Sequence, residues 1–173
     1  MTNLRMPKID RKVISKKEII AKKLKSIINP QNVLEHEDEL LPFETDGLSA
    51  YRQKPLIVVF PENTLQVSKV LSYCNEEKIK VVPRGAGTGL SGGALPLQDC
   101  VLLCLGKFNK ILDIDYKNRC VVAQPGVTNL SITKAVEENN FYYAPDPSSQ
   151  IACSIGGNVA ENSGGVHSLK YGT

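Results

Sequence analysis

The segment Pro83-Arg84-Gly85-Ala86-Gly87-Thr88-Gly89-Leu90-Ser91-Gly92-Gly93-Ala94 places five glycines between Gly85 and Gly93. A tight turn needs one or two glycines, and each further one costs about 0.5–1 kcal/mol of conformational entropy relative to alanine. Such a run is explained by something that the main chain must approach closely. Backbone N–H groups freed of Cβ neighbours can converge on an anion. A second cluster, Ile155-Gly156-Gly157-Asn158-Val159-Ala160-Glu161-Asn162-Ser163-Gly164-Gly165, follows about seventy residues later. One loop of this kind suggests a phosphate; two suggest a ligand held from both sides, such as a dinucleotide with its diphosphate.

Outward from the first cluster, the patterning alternates between strand and helix. Leu56–Phe60 is a strand between Pro55 and Pro61. A helix over 64–77 puts Val67, Val70, Leu71 and Cys74 on one face, and Lys80–Val82 is a second strand. Strand, helix and strand with short links give a right-handed parallel crossover. The glycine loop then opens at the carboxyl end of a strand, where α/β sheets bind ligands. Beyond it, Val101–Leu105, Ile111–Asp115 and Val121–Gln124 read as strands in close succession, with a hairpin at Lys117-Asn118. Thr128 caps a helix running to about Asn139; Phe141–Ala144 is extended, and Pro145-Asp146-Pro147-Ser148-Ser149 is a turn-rich loop. Upstream, Ser15 and Glu18 have capping-box spacing, Ile20, Leu24, Ile27 and Ile28 form a helical stripe, and Asn29-Pro30 stops it.

The 173 residues, 42% apolar and 23% charged, suffice for a soluble domain with a hydrophobic core. No apolar run approaches membrane-spanning length, and the first twenty-nine residues lack the apolar core of a secretion signal, which points to the cytoplasm. The net charge of +3 conceals an asymmetry: residues 1–29 carry a net +7 and the remainder a net −4. The basic excess is thus a property of the N-terminal helix, and a body poor in aromatics argues against nucleic acid. The lysine-rich face of that helix is either solvated or touches a partner or the anionic inner membrane. Five cysteines without a Cys-x-x-Cys pair, and only His36 and His167 beside them, are poor material for zinc or an iron–sulfur cluster; buried reduced thiols are the plainer reading.

Three other motifs compete for the first loop. Gly85 and Gly87 begin a G-x-G-x-x-G fingerprint, but Leu90 stands at its third glycine. Gly87 to Gly92 has Walker spacing, but Gly93 replaces the lysine. Gly89-Leu90-Ser91-Gly92-Gly93 satisfies the nucleophile elbow G-x-S-x-G, and Asp113, Asp146 and His167 follow in the order a serine hydrolase needs. That elbow requires a strand before Ser91 and a helix directly after it, whereas glycines and Pro96 surround this serine. A phosphate-wrapping loop, aided by the Thr88 and Ser91 hydroxyls, remains.

Taken together, Asp46-Gly47-Leu48-Ser49-Ala50-Tyr51-Arg52, the first glycine segment, Ala144-Pro145-Asp146-Pro147-Ser148-Ser149 and the run from Cys153 to Gly165 with His167 resemble the FAD-linked 2-hydroxyacid oxidoreductases. These belong to the vanillyl-alcohol oxidase, or p-cresol methylhydroxylase-type, flavoproteins, and the likeness is greatest to flavoprotein subunits of glycolate oxidases, with D-lactate dehydrogenases nearby. The resemblance implies an α+β p-cresol methylhydroxylase-type FAD-binding domain, with a small parallel βαβ subdomain, a second mixed or antiparallel sheet subdomain holding the strands from Val101 to Gln124, and FAD between them. It covers residues 36–173; residues 1–35 are a basic helical extension. The same resemblance implies that Arg84, Gly85, Ala86, Gly87, Thr88, Gly89, Gly93 and Ala94 line the FAD phosphates. Pro147, Ser149, Gly156, Gly157, Asn158 and Asn162 approach the diphosphate, ribityl chain or flavin ring. Some relatives attach FAD through a loop histidine; Thr88 stands about there, so non-covalent FAD is expected. His167 is either a flavin-side base or a polar residue on a loop rim, the latter favoured because no carboxylate partner is evident beside it in sequence.

Relatives continue past Tyr171-Gly172-Thr173 into the rest of the FAD domain and a substrate-capping domain, so this chain reads as incomplete at its C-terminus and as inactive by itself. No catalytic residue and no metal ligand is named in it. The resemblance also implies a 2-hydroxy acid substrate, an electron-accepting iron–sulfur subunit and a second flavoprotein subunit as partners. The competing reading is a non-catalytic remnant or assembly module of a split flavoprotein.

Overall fold

Two apolar pentads, Leu56–Phe60 and Cys100–Cys104, have no polar side chain to turn toward water, and both supply the interior of one sheet. The computed structural model describes residues 7–173. The chain divides into two compact units: Met1–Thr45, Ser49–Pro83 and Leu95–Leu103 form the first, and Asp46–Leu48, Arg84–Ala94 and Cys104–Thr173 the second. Its helices and strands run α1 (Arg11–Ser15), α2 (Lys17–Ile27), β1 (Val33–Leu34), α3 (Glu37–Leu40), β2 (Ile57–Val59), α4 (Thr64–Glu76), β3 (Lys80–Arg84), β4 (Cys100–Cys104), β5 (Ile111–Asp115), β6 (Cys120–Ala123), α5 (Asn129–Val136), α6 (Ile155–Glu161) and α7 (Ser168–Tyr171).

The first unit is built on a sheet of order β1-β2-β4-β3, with β1 antiparallel to β2 and β2 parallel to β4. Ile57, Val58, Val59, Cys100, Val101 and Leu102 are fully buried, the signature of parallel strands covered on both faces. The family resemblance placed Val101–Leu105 in the second subdomain; the structure puts this strand, β4, between β2 and β3. The reason is physical. A strand apolar on both faces suits only an interior position, whereas β3 contains Lys80 and Pro83, which lacks an N–H and suits an edge. Helix α4 begins where Asn63 accepts from the Gln66 N–H at 2.9 Å and buries Val70 and Cys74; Leu71, expected on that face, is exposed.

Helix α2 packs Ile20, Ala21 and Leu24 inward, as the stripe predicts. The expected Ser15/Glu18 box does not form. Asp10 caps the helical segment earlier, accepting from the Lys12 N–H, so Ser15 falls at the end of α1 and its hydroxyl donates back to Lys12 O at 2.9 Å. The buried Asp99 carboxylate anchors this region. It accepts from the Asp10 N–H at 2.6 Å and from Lys80 Nζ at 2.7 Å. Burial works to raise its pKa, but these hydrogen bonds outweigh burial and hold it below the usual carboxylate range.

In the second unit β5 and β6 form the expected antiparallel hairpin. Its turn is fixed by Asp115, which accepts from both the backbone and the side chain of Asn118. Thr128 caps α5 as expected, accepting from the Ser131 N–H. An isolated bridge joins Thr128 to Ser154, so α5 and α6 start side by side. A cavity of about 400 Å³ lies in this unit, lined among others by Ile114, Val121, Ile132, Val136, Phe141 and Val159.

Candidate functional site

The glycine loop Arg84–Ala94 lies in the same unit as the second glycine cluster, and the two meet. The loop curls around its own arginine. Arg84 is 9% exposed, its Nη1 donates to Ala94 O at 3.3 Å, and its guanidinium fills the space where a Gly87 side chain would point. Gly87 has φ +73°, so a side chain there would be strained as well as blocked. Burial lowers the pKa of the guanidinium, while Cys104 and Asp46 oppose that shift. A guanidinium stays charged under such pressure, so a fixed positive charge sits inside the loop.

Two further segments hold the loop. Gly47 donates its N–H to Gly89 O at 3.0 Å, and a Cβ at Gly47 would lie 2.5 Å from Thr88 O and 2.8 Å from Gly89 O. On the other side Ser154, the residue before α6, sits where a Gly85 side chain would go. Ser91 Oγ donates to Glu161 Oε2 at 2.5 Å, joining the loop to the end of α6. None of the backbone N–H groups from Gly85 to Ala94 donates to a protein acceptor among the described residues. Main-chain amides normally find partners. A series of such donors on a loop closed around a buried cation is an arrangement able to receive an anion.

The second cluster differs from the expected loop. Ile155–Glu161 is a helix, with Ser154 as N-cap accepting from the Gly157 N–H at 3.3 Å. Sequence reasoning missed this start although Ser154 stands directly before the apolar run. Gly156 is required by packing: a Cβ there would lie 2.7 Å from Pro125 Cβ, and its N–H donates to Pro125 O at 2.8 Å. Asn158 is buried, with its side chain committed to Asn129 Nδ2 at 3.2 Å and to Cys153 Sγ. Asn162 ends the helix at φ 52° and donates to Thr173 Oγ1 at 3.0 Å. Pro147 and Ser149 lie in the neighbouring loop, where their carbonyls accept from Gln150 and from Ala152 and Cys153. Ala86 and Gly93 are exposed; Gly85, Thr88, Gly89 and Ala94 are half-buried.

One expectation changes. His167 does have a carboxylate partner. Its Nδ1 lies 2.9 Å from Asp146 Oδ2 and its backbone N–H donates to Asp146 Oδ1 at 3.4 Å, a contact made possible by Gly165, where a side chain would overlap Asp146. The pair is separated by twenty-one residues, which hid it from sequence reasoning. Helix α7 follows Gly165. The serine-hydrolase arrangement is absent: Ser91 lies in a bend with no strand before it or helix after it, and its hydroxyl is taken by Glu161 while His167 is paired with Asp146. Cys74, Cys100, Cys104 and Cys153 are buried free thiols, as expected, but Cys120 is exposed on the hairpin. No group of three metal-ligating side chains exists among the described residues.

A family profile described as "FAD binding domain" matches residues 55–173. The glycolate oxidase subunit GlcD of Escherichia coli strain K12 is 60% identical over 140 residues, which are 81% of this chain and 28% of that protein. A D-lactate dehydrogenase of Anaerostipes hadrus is 39% identical over 146 residues, 84% of this chain and 30% of that protein. Among solved structures, p-cresol methylhydroxylase with bound substrate superposes with a TM-score of 0.75 at 26% identity, over 86% of this chain and 30% of that one. The chain thus spans less than a third of the length of these relatives.

Proposed function

The chain belongs to the family of FAD binding domains, and from that premise we propose that it holds FAD non-covalently as part of a flavin-dependent dehydrogenase or oxidase of small 2-hydroxy acids. The series of free amides from Gly85 to Ala94 carries this reading. In it, Gly85–Gly89 with Gly93 and Ala94 receive the diphosphate, Arg84 supports the loop from within, and Gly156 and Gly157 let α6 come close. Pro147 and Ser149 border the same cofactor, and Asn158 and Asn162 hold α6 in place for it. Bound FAD would supply the hydride acceptor. This chain's own part is to bind and orient it and to keep the diphosphate on unshared donors. No residue of the loop is a histidine, which favours non-covalent attachment.

The substrate class comes from the relatives named for glycolate and D-lactate, both 2-hydroxy acids. The E. coli relative is named as a subunit, which supports partner chains, and an iron–sulfur electron acceptor and a second flavoprotein subunit complete the proposal. Reconstitution with FAD followed by acid precipitation tests the reading. Yellow flavin in the supernatant is expected; flavin in the pellet overturns non-covalent attachment, and a colourless reconstituted protein overturns the cofactor assignment. Glycolate should not bleach the flavin of the 173-residue chain, since no substrate clamp is evident among the described residues.

A peripheral place at the inner membrane rests on one further observation. Lys12, Lys16, Lys22 and Lys23 are exposed along α1, α2 and the junction between them, as is Ile19, although Lys16 also pairs with Glu77 at 3.3 Å. No helix of the described residues is long and apolar enough to cross a membrane. Co-sedimentation with vesicles of anionic lipid, lost in 0.5 M salt, would support the assignment; equal recovery with neutral vesicles would remove it.

A further inference from the structure

The glycine loop already meets one carboxylate, through the Ser91 hydroxyl, and it belongs to the protein. Glu161, the last residue of α6, directs its carboxylate at the loop. Oε2 accepts from Ser91 Oγ at 2.5 Å, the short distance of a charge-assisted bond. Oε1 lies 3.0 Å from where a Gly93 Cβ would stand and 3.9 Å from the corresponding point of Gly89. Gly93 and Gly89 are therefore open on the side that Glu161 occupies. The residue is exposed, so its side chain can swing away without breaking a packed core. Behind it, Asn162 in the left-handed region ends the helix and frees the carboxylate from any further helical turn.

We propose that Glu161 is an internal stand-in for the cofactor's diphosphate, holding the glycine loop in its binding shape through Ser91 and leaving when the real anion arrives. The inference rests on the FAD reading of the same site. A diphosphate on the loop would lie close to that carboxylate, and like charges a few ångströms apart repel each other. A ligand that binds only when Glu161 has moved therefore binds more weakly by the share of molecules in which the carboxylate stands at the loop. The carboxylate nonetheless has a use. It ties the loop to the end of α6 through Ser91, and it favours a ligand whose charge exceeds its own.

Glu161→Gln separates this from a structural role, since the amide oxygen still accepts from Ser91 while the charge is gone. FAD affinity of the 173-residue chain is read by quenching of flavin fluorescence, and folding by thermal melting. E161Q should bind FAD about tenfold more tightly than wild type in 50 mM salt with an unchanged melting temperature. In 0.5 M salt the advantage should shrink severalfold, because screening weakens the competing charge. Equal or weaker binding by E161Q, or an advantage that salt leaves untouched, overturns the proposal. Flavin retained by both proteins with equal affinity sinks the stand-in alone; flavin retained by neither sinks the cofactor assignment and the stand-in with it.

Discussion

Gly47→Ala tests whether the glycine loop is held from outside as described. The new Cβ would lie 2.5 Å from Thr88 O, 2.8 Å from Gly89 O and 2.9 Å from Thr88 C. These are backbone atoms and cannot rotate away. Either the 46–48 segment or the loop must retreat, and the hydrogen bond from the Gly47 N–H to Gly89 O at 3.0 Å is lost. Overpacking costs about 1–3 kcal/mol, and a lost hydrogen bond about 0.5–1.5 kcal/mol. A total of about 2–4 kcal/mol lowers the melting temperature of a chain this size by roughly 4–16 °C. Displacing Thr88 and Gly89 also spoils the alignment of the free amides, so FAD affinity should fall about tenfold, equivalent to about 1.4 kcal/mol. The control is Gly106→Ala, where an added Cβ meets nothing within 4 Å. It should shift stability by under about 0.5 kcal/mol. Differential scanning fluorimetry with and without FAD measures both. A G47A protein that melts and binds like wild type, or a G106A protein equally damaged, would falsify the account of the loop.

Three further outcomes follow from other parts of the molecule. Asp99→Asn should cost about 1–3 kcal/mol at neutral pH, because charge-assisted bonds from Lys80 and the Asp10 N–H are weakened. Asp99's folded pKa is depressed below its unfolded value of about 3.9. Its contribution is therefore complete above that value and lost as pH falls through the folded pKa, so melting curves of wild type and D99N should converge only in strong acid. A thiol reagent should modify one cysteine of the native protein, Cys120, and the other four only in denaturant. Burial pushes Cys74 and Cys100 up to about 11 and Cys104 up to about 12, which leaves them protonated as well as inaccessible. Asn129→Leu should destabilise by about 1–3 kcal/mol in urea unfolding, since Asn129 Nδ2 donates to Pro145 O at 2.8 Å and to Asn158 Oδ1 at 3.2 Å, and the change leaves the first acceptor without that donor and the second with only Cys153 Sγ.

Local signals were legible wherever a segment's own residues determine its conformation. The apolar run Leu56–Phe60, the face ending in Cys74, the turn after Asp115 and the cap at Thr128 all appear where the pattern puts them. Misreadings arise where a distant residue decides. Ser15 had the right neighbours for a cap but lost the position to Asp10. The strand Cys100–Cys104 was grouped with the second subdomain by resemblance, whereas it lies in the other sheet as an interior strand beside β2. Asp146 and His167, Arg84 and Ala94, and Ser91 and Glu161 are partners brought together by loops, and loop closure leaves no periodic trace in sequence. Family resemblance supplied the cofactor; it did not reveal that Asn158 faces Asn129 and Cys153, or that Arg84 faces its own loop.

The glycines of the second cluster carry the same lesson to a measurable end. From sequence, Gly156 and Gly157 are equivalent ligand-approach residues. In the structure they differ. A Cβ on Gly156 would strike Pro125 at 2.7 Å from its Cβ and 3.0 Å from its carbonyl oxygen, both part of a rigid turn. A Cβ on Gly157 would meet only Ser154 Oγ, at 3.2 Å, a hydroxyl that can turn aside. Gly156→Ala should therefore lift α6 off Pro125, drag Ser154 from Gly85 and cost about 1–3 kcal/mol of stability whether or not flavin is present. Gly157→Ala removes a helix-weakening glycine and should leave stability level or raise it by up to about 1 kcal/mol. If Gly157 is bare so that FAD can come close, the same change weakens flavin binding without weakening the fold. Loss of stability at position 157, or flavin loss confined to position 156, would reverse that division between packing and ligand approach.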